Sequence, residues 1–375
     1  MDVALINNFP PGTGVGRYAF SVFRELRKMK NMDCKMLCPY PLNLDGIDKN
    51  EKDDIIFLTK SKSFFINRLS TYFYTHLKIP KNFDVYHANQ ALGIFGKQLH
   101  PSVISVYDVI PLKRREKLPK EAGLQSVMMR NIYSHFVKQS IYSIKYADQV
   151  ICLAKMVQDE TVSLAGVDRE KTHVINEGLD HNLFKPRDKE KIRKKLGLDA
   201  DKKIILHVGN ERDPRKNIET LLKAYHKVQK DLDNTLLVRI GFKTNEVAKI
   251  IDKLNLNVQY FTSISDEMLS WVYNSADVCV LSSLEEGTAW TPVEAMASGC
   301  PSVVSNAPGH KDIAGESPIY VDIMDVDGYA NAIKRLLTDK KLRDELIPKG
   351  TKWSKTYSWD KCAKKIVGVY KKATQ

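Results

Sequence analysis

HNLFKPRDKEKIRKKLGLDADKK (181–203) runs directly into IILHVGN (204–210). The first stretch is dense in charge and carries a proline. The second is an aliphatic run closed by glycine. A fresh strand after a charged pause is where a chain starts a second body. The boundary therefore predicts an inter-domain linker with one helix over 181–203, and a new α/β domain beyond it.

The same alternation extends in both directions. Upstream, strand-like runs stand at 3–7, 35–40, 55–59, 84–89, 103–108, 149–154 and 173–176. Between them lie amphipathic stretches such as RYAFSVFRELRKMK (17–30), where Tyr18, Val22, Leu26 and Met29 recur at helical spacing. Downstream, a second series reads LLVRIG (236–241), VQYFT (258–262), VCVLSS (278–283), PSVVS (301–305) and PIYVD (318–322). Continuous apolar strands alternating with helices predict parallel sheets covered on both faces. The fold class expected is α/β: two Rossmann-like doubly wound domains, 1–180 and 181–375, facing across a cleft. The last amphipathic stretch, WDKCAKKIVGVYKK (359–372), can pack on either domain.

Composition narrows the class of protein. With 375 residues, 43% hydrophobic and 27% charged, the chain is long enough for two cores and is not globally disordered. The formal net charge is +13, spread over both halves with no polybasic tail. That field favours anionic partners, or simply solvates the surface. The six cysteines show no C-x-x-C or Cys/His zinc spacing, and Cys34, Cys38, Cys152 and Cys279 fall in strand-like runs, so buried free thiols are expected. MDVALINN enters a strand with no leader pattern, and no apolar run approaches the ~20 residues of a membrane span. The expectation is a cytoplasmic protein, at most lying on a membrane surface.

Ligands of doubly wound sheets bind beyond the carboxyl ends of the strands, so loops following strands carry the candidates. After the first strand comes NNFPPGTGVGRYAF (7–20), with Gly12, Gly14 and Gly16 ahead of a helix beginning near Arg17. Glycines let backbone N–H groups approach a phosphate, and a helix start favours an anion. The spacing is not G-x-G-x-x-G, and a flexible entry loop fits it equally. After IILHVGN comes ERDPRKN (211–217), where Arg212, Arg215 and Lys216 crowd one turn. Such a cluster grips phosphate or is a solvated basic loop.

SSLEEGTAWTPVEAMASGCPSVVS (282–305) places Glu286 in a loop and Glu294 in the helix that follows. Thr291 as N-cap, Pro292 at the first helical position and Glu294 at the third would form a capping box. That leaves Glu286 unexplained. The better design is an anion at the helix start, with a carboxylate on each side accepting sugar hydroxyls. Asp108 ends the strand VISVYD, as an acceptor-side or catalytic group or as a turn cap; His87 in DVYHAN reads as a hydrogen-bonded structural histidine. KSKSFFINRLSTYFYTHLKIPK (60–81) interleaves aromatics and cations, and KRREKLPK (113–120) adds charge. The first fits an anionic membrane surface or an ordinary helix buried on its apolar side.

EEGTAWTPVEAMASGCPSVVSN (285–306) resembles the E-x7-E signature of retaining, GT-B-fold glycosyltransferases of family 4, with its trailing A-M-A-x-G-x-P. VGNERDPRKN (208–217) is similar to that family's phosphate-binding strand end, and PPGTGVGRYA (10–19) to its glycine-rich loop. By this resemblance Glu286 faces the donor sugar and Glu294 binds the nucleotide ribose. Amides of Thr288, Ala289 and Trp290 approach the sugar and diphosphate, Lys216 and Arg215 grip the leaving phosphates with Arg212 nearby, and Gly14 and Gly16 approach the diphosphate. Five positions, in three places, depart from the pattern. Thr288-Ala289-Trp290 replaces Phe-Gly-Leu, Asn210 replaces the Arg common after V-G, and Tyr107 replaces the His common before the aspartate.

The resemblance implies transfer of a mannose- or glucose-type hexose from a UDP- or GDP-linked donor to a glycan or lipid-linked acceptor. The 1–180 domain would bind acceptor, and the rest the nucleotide sugar. Cations and loop amides would stabilise the departing diphosphate, so no metal and no bound cofactor are expected. No Asp-x-Asp motif is present. Nucleic acid is not among the implied partners. Two rivals remain on sequence: a nucleotide-sugar-binding protein without catalysis, and a glycosidase using Glu286 and Glu294.

Overall fold

A computed structural model of the chain describes residues 1–59, 78–90, 99–113 and 124–375, without the side chains of 124–133. The aromatic and cationic residues 60–77 and the basic run 114–120 lie outside the described residues. The chain divides into two compact units. One is Met1–Gly178 with Ser358–Gln375, and the other is Leu179–Tyr357.

The first unit is built on β1 (Asp2–Ile6), β2 (Asp33–Cys38), β3 (Ile55–Phe57), β4 (Val85–Ala88), β5 (Ser102–Val106), β6 (Gln149–Cys152) and β7 (Thr172–Val174). They form a seven-stranded sheet in the order β3-β2-β1-β4-β5-β6-β7, with every pairing parallel. The second unit holds β8 (Lys203–Val208), β9 (Thr235–Ile240), β10 (Val258–Phe261), β11 (Val278–Leu281), β12 (Ser302–Ser305) and β13 (Ile319–Val321). Its six-stranded sheet runs β10-β9-β8-β11-β12-β13, again all parallel. Each strand-like run of the sequence coincides with one of these strands. Val3, Ala4, Leu5 and Ile6 of β1 are all essentially buried, as a strand covered on both faces requires. Strand order reverses between β1 and β4 in one sheet and between β8 and β11 in the other, which marks the two crevices where ligands are expected.

The helix Gly14–Arg27 buries Tyr18, Val22, Phe23 and Leu26 against the first sheet. It starts three residues earlier than Arg17. Thr13 caps it by accepting from the Gly16 amide (3.1 Å), so Gly14 and Gly16 lie in its first turn. A side chain at Gly16 would put its Cβ 1.9 Å from the Pro10 carbonyl oxygen, so packing alone demands glycine there.

Residues 358–375 group with the first unit. Their helix, Trp359–Ala373, buries Cys362, Ile366, Val369 and Tyr370 in the same core as Tyr18 and Leu26. Tyr370 completes a buried polar chain. Its hydroxyl meets His87 Nδ1 at 2.7 Å, and His87 Nε2 meets Ser105 Oγ at 2.9 Å. His87 is fully buried, and burial pushes its pKa down to about 3. All six cysteines are free and buried.

The stretch 181–203 carries its predicted helix but does not lie between the units. It belongs to the second unit, where the helix Lys189–Leu196 packs on the helix Asp266–Ser275. Its charge misled because part of it is spent internally. Arg193, 7% exposed, pairs with Asp277 Oδ2 at 2.7 Å, and Lys189 pairs with Asp277 Oδ1 at 2.8 Å. Asp188 caps the helix and Gly197, at φ 64°, ends it. Among the described residues no helix is long and apolar enough to cross a membrane.

Candidate functional site

In the second unit the loops that leave β8 and β11 meet at the switch point. After β8 the backbone passes Gly209 and Asn210, turns at Asp213-Pro214, and forms a 3-10 turn over Pro214–Lys216. Asp213 caps that turn through the Arg215 amide (3.1 Å). The loop after β11 is bonded to it directly. Leu284 N donates to Arg215 O (2.7 Å), and Ser282 Oγ donates to Lys216 O (2.9 Å).

This stitching brings Lys216 Nζ within 2.6 Å of Glu286 Oε1. Ser283 Oγ donates to the same oxygen at 2.6 Å. Two donors therefore hold Oε1, which leaves Oε2 as the carboxylate's face toward a further hydroxyl. The side chains are 18% and 13% exposed, so the pair is reachable yet largely desolvated.

The other two cations are engaged elsewhere. Arg215 folds back onto Asp213 in a two-point pair, Nε to Oδ1 at 3.0 Å and Nη2 to Oδ2 at 2.6 Å. Burial opposes the Asp213 charge, but these bonds outweigh it and hold its carboxyl below the usual range. Arg212 is exposed and lies over the Phe242 ring, 5.9 Å from its centroid. Of the three cations, Lys216 is the one joined to Glu286.

Glu294 is not part of a capping box. Its helix, Trp290–Ala297, begins two residues earlier than the Thr-Pro-x-Glu frame requires, with Ala289 at the N-cap and no side-chain capping bond. Pro292 thus falls third, still within the first turn, where its missing N–H costs nothing. Glu294 is 5% exposed, and its Oε2 accepts from the Tyr273 hydroxyl at 2.8 Å. The Trp290 amide donates to Thr288 O (2.9 Å), so that one of the three expected loop amides is already used within the turn. The Trp290 ring packs edge-on against Tyr357, 5.1 Å between centroids, and Ala289 is buried.

Behind the loop lies a network that the sequence reading passed over. Across β10, β9 and β8 the register aligns Tyr260, Arg239 and His207. Glu211, the second residue after Gly209, accepts from Tyr260 OH (2.5 Å), Thr244 N (2.8 Å) and Arg239 (3.3 Å). Arg239 also donates to Gly209 O at 3.2 Å, and both charged side chains are fully buried. The backbone carrying Arg212, Arg215 and Lys216 is therefore pinned to the two neighbouring strands. Burial, reinforced by the Arg239 and Lys216 charges, holds the His207 pKa well below its ordinary value, so that ring is neutral. The signal was available: an arginine inside LLVRIG and a histidine inside IILHVGN are rare in doubly covered strands.

In the first unit the corresponding strand ends gather around the glycine loop. Asn89 Nδ2 donates to Val15 O (3.2 Å) and to Asn7 Oδ1 (3.2 Å), and the Tyr107 hydroxyl donates to Asn89 Oδ1 (2.7 Å). Tyr107, where the resemblance has histidine, thus helps hold this loop. Asp108 Oδ1 accepts from Ile110 N at 3.1 Å, at the start of the short helix Ile110–Lys113. Among the described residues no three His, Cys, Asp or Glu side chains cluster as metal ligands would.

Comparison with known proteins agrees with this architecture. The family model described as glycosyltransferase family 4 matches residues 12–183, and that described as glycosyl transferases group 1 matches 188–353. An MMP alpha-(1->4)-mannosyltransferase of Mycolicibacterium hassiacum is 28% identical over 304 residues, 78% of this chain and 71% of that one. The solved sucrose-phosphate synthase of Thermosynechococcus elongatus superposes with a TM-score of 0.76 at 23% identity, over 99% of this chain and 98% of the other. Anabaena Alr3699/HepE, solved with UDP-glucose, gives 0.72 at 18% identity over 98% of each. Two parallel-sheet Rossmann-like units with these neighbours define the GT-B fold. The chain belongs to the group 1, family 4 glycosyltransferases, whose two models together account for most of its length.

Proposed function

We propose that this glycosyltransferase moves a hexose of the mannose or glucose type from a nucleoside-diphosphate donor to a hydroxyl of a glycan or lipid-linked acceptor, with retention at the anomeric carbon. The observation that carries the reading is the Lys216–Glu286 pair at the β8/β11 switch point, with Glu294 buried in the helix that follows. A cation and a carboxylate side by side suit a ligand whose leaving group is anionic and whose transferred part is a polyol. Support for the donor class comes from the relatives: one is named a mannosyltransferase and another is solved with UDP-glucose.

In this reading the acceptor oxygen bonds to the anomeric carbon as the bond to the β-phosphate oxygen breaks. The departing phosphate takes the acceptor proton on the same face, so no enzyme nucleophile is needed. Lys216, with Arg215 beside it, meets the charge that grows on the diphosphate, in place of a divalent metal. Glu286 Oε2 accepts a sugar hydroxyl, and Glu294 a ribose hydroxyl. Asp108 serves the acceptor in this reading, and the helix start at Gly14 has a backbone that suits phosphate.

The test is a panel of UDP- and GDP-hexoses scored by thermal shift, then by nucleotide release with an acceptor mixture, with the product's anomeric configuration read by NMR. Donor-dependent transfer with retention supports the proposal. Sugar release from a glycoside with no nucleotide present, or nucleotide-sugar binding without turnover under any acceptor, overturns it.

A further inference from the structure

The position of Glu286 has a source deeper in the second unit. Ser283 Oγ donates to Glu286 Oε1 at 2.6 Å, and Ser283 O in turn accepts from Ser305 Oγ, also at 2.6 Å. Ser305 is the last residue of β12. Its hydroxyl hydrogen is spent on Ser283, so toward His310 Nδ1, 3.0 Å away, Ser305 Oγ can only accept. The Ser305 carbonyl oxygen, also 3.0 Å from Nδ1, is an acceptor too. Both contacts require the same tautomer: the proton is on Nδ1.

His310 is 1% exposed, and its Nε2 is buried without a hydrogen-bond partner among the described residues. An unpartnered buried nitrogen is a desolvation cost that an aliphatic side chain at the same place would not carry. Among the described residues the ring's hydrogen bonds are thus all on its donor side. Burial lowers its pKa, and the Glu286 and Lys216 charges both reach the ring, so it stays a neutral donor close to that pair.

We propose that His310 is a positioning residue for Glu286, acting through Ser305 and Ser283. The Nδ1 proton fixes the Ser305 hydroxyl, the hydroxyl fixes the Ser283 backbone, and the Ser283 side chain fixes the carboxylate that faces the donor sugar. The inference rests on the function proposed above. It adds a specific consequence: the chain sets the sugar-facing group and leaves the nucleotide grip alone.

The test compares His310→Leu, which keeps the bulk and removes the donor, with His310→Asn, whose amide nitrogen can take the place of Nδ1. Ser305→Ala breaks the same chain at a smaller residue and serves if the leucine variant fails to fold. Turnover with the nucleotide sugar, calorimetric affinity for the nucleoside diphosphate alone, and the unfolding midpoint are measured for each. The expected result is a kcat lowered about 10-fold or more in His310→Leu and Ser305→Ala, the cost of a slightly misplaced reacting group. Nucleoside diphosphate affinity should stay near wild type, and His310→Asn should recover most of the rate. Wild-type kcat in His310→Leu or Ser305→Ala overturns the proposal. So does parallel loss of kcat, nucleotide affinity and melting temperature with no rescue by asparagine. Absence of transfer by the wild-type chain refutes the parent reading instead, which separates the two failures.

Discussion

Lys216 Nζ lies 2.6 Å from Glu286 Oε1, although 70 residues separate them in the chain. One leaves β8 and the other leaves β11, the strands on either side of the reversal in sheet order. Parallel topology is what makes them neighbours: both loops exit at the same edge, and two backbone-directed bonds hold them together.

Replacing Lys216 by alanine is expected to lower transfer by at least ~100-fold, the scale of removing one partner of transition-state charge. It also strands a largely desolvated carboxylate, costing about 2 kcal/mol of stability. The double variant Lys216→Ala/Glu286→Gln should regain part of that stability and none of the rate. Steady-state kinetics and urea unfolding on the same preparations check both. Near-normal turnover in Lys216→Ala would remove its assigned role.

Glu294 should act on the nucleotide rather than on helix formation, because it lies past the N-cap and makes no capping bond in its helix. Glu294→Gln is expected to weaken nucleoside diphosphate binding about 10-fold, as loss of a charge-assisted hydrogen bond does. Tyr273→Phe, which removes the hydroxyl bonded to Oε2, should fall between this variant and wild type. Titration calorimetry reads the affinities. A lowered melting point with unchanged affinity would make Glu294 a structural residue.

Most of the fold was legible because doubly covered strands and amphipathic helices leave a periodic record that needs only local sequence. The glutamate pair and the basic turn were legible because both follow strands. What escaped depends on partners far along the chain. The 181–203 segment reads as a linker with one helix until Asp277 is known to sit beside Arg193 and Lys189. Thr-Pro-x-Glu fits two helix frames, and the path of the loop through Ala289 chooses between them. Ser305 and His310 look unremarkable locally, since their link to Glu286 crosses from β12 to the loop after β11.

His87 makes part of the stability dependent on pH. Its folded-state pKa is about 3, held there by burial, whereas an exposed histidine titrates near 6.5. Between those values the unfolded chain binds a proton that the folded one does not, so stability falls as pH falls through that window and is unaffected above it. The slope is about 1.4 kcal/mol per pH unit. His87→Gln removes the titration, so wild type and variant should differ less at pH 5 than at pH 7.5. Urea midpoints at the two values test this; an unchanged difference means that His87 titrates normally in the fold.

The buried Arg239–Glu211 pair offers the sharpest separation of stability from geometry. Both side chains are fully buried, so removing one leaves the other unpaired, and Arg239→Met or Glu211→Gln alone should cost about 3–5 kcal/mol. The double variant Arg239→Met/Glu211→Leu removes both charges and should recover much of that loss, since paired burial gains little over apolar packing. Activity should not recover with it. Glu211 also holds Thr244 N and Tyr260 OH, and Arg239 holds Gly209 O, so the double variant frees the loop that carries Lys216. The expected signature is a near-normal unfolding midpoint with a raised donor KM. Recovery of both would show that the network serves folding alone, and that the turn over Pro214–Lys216 keeps its shape without it.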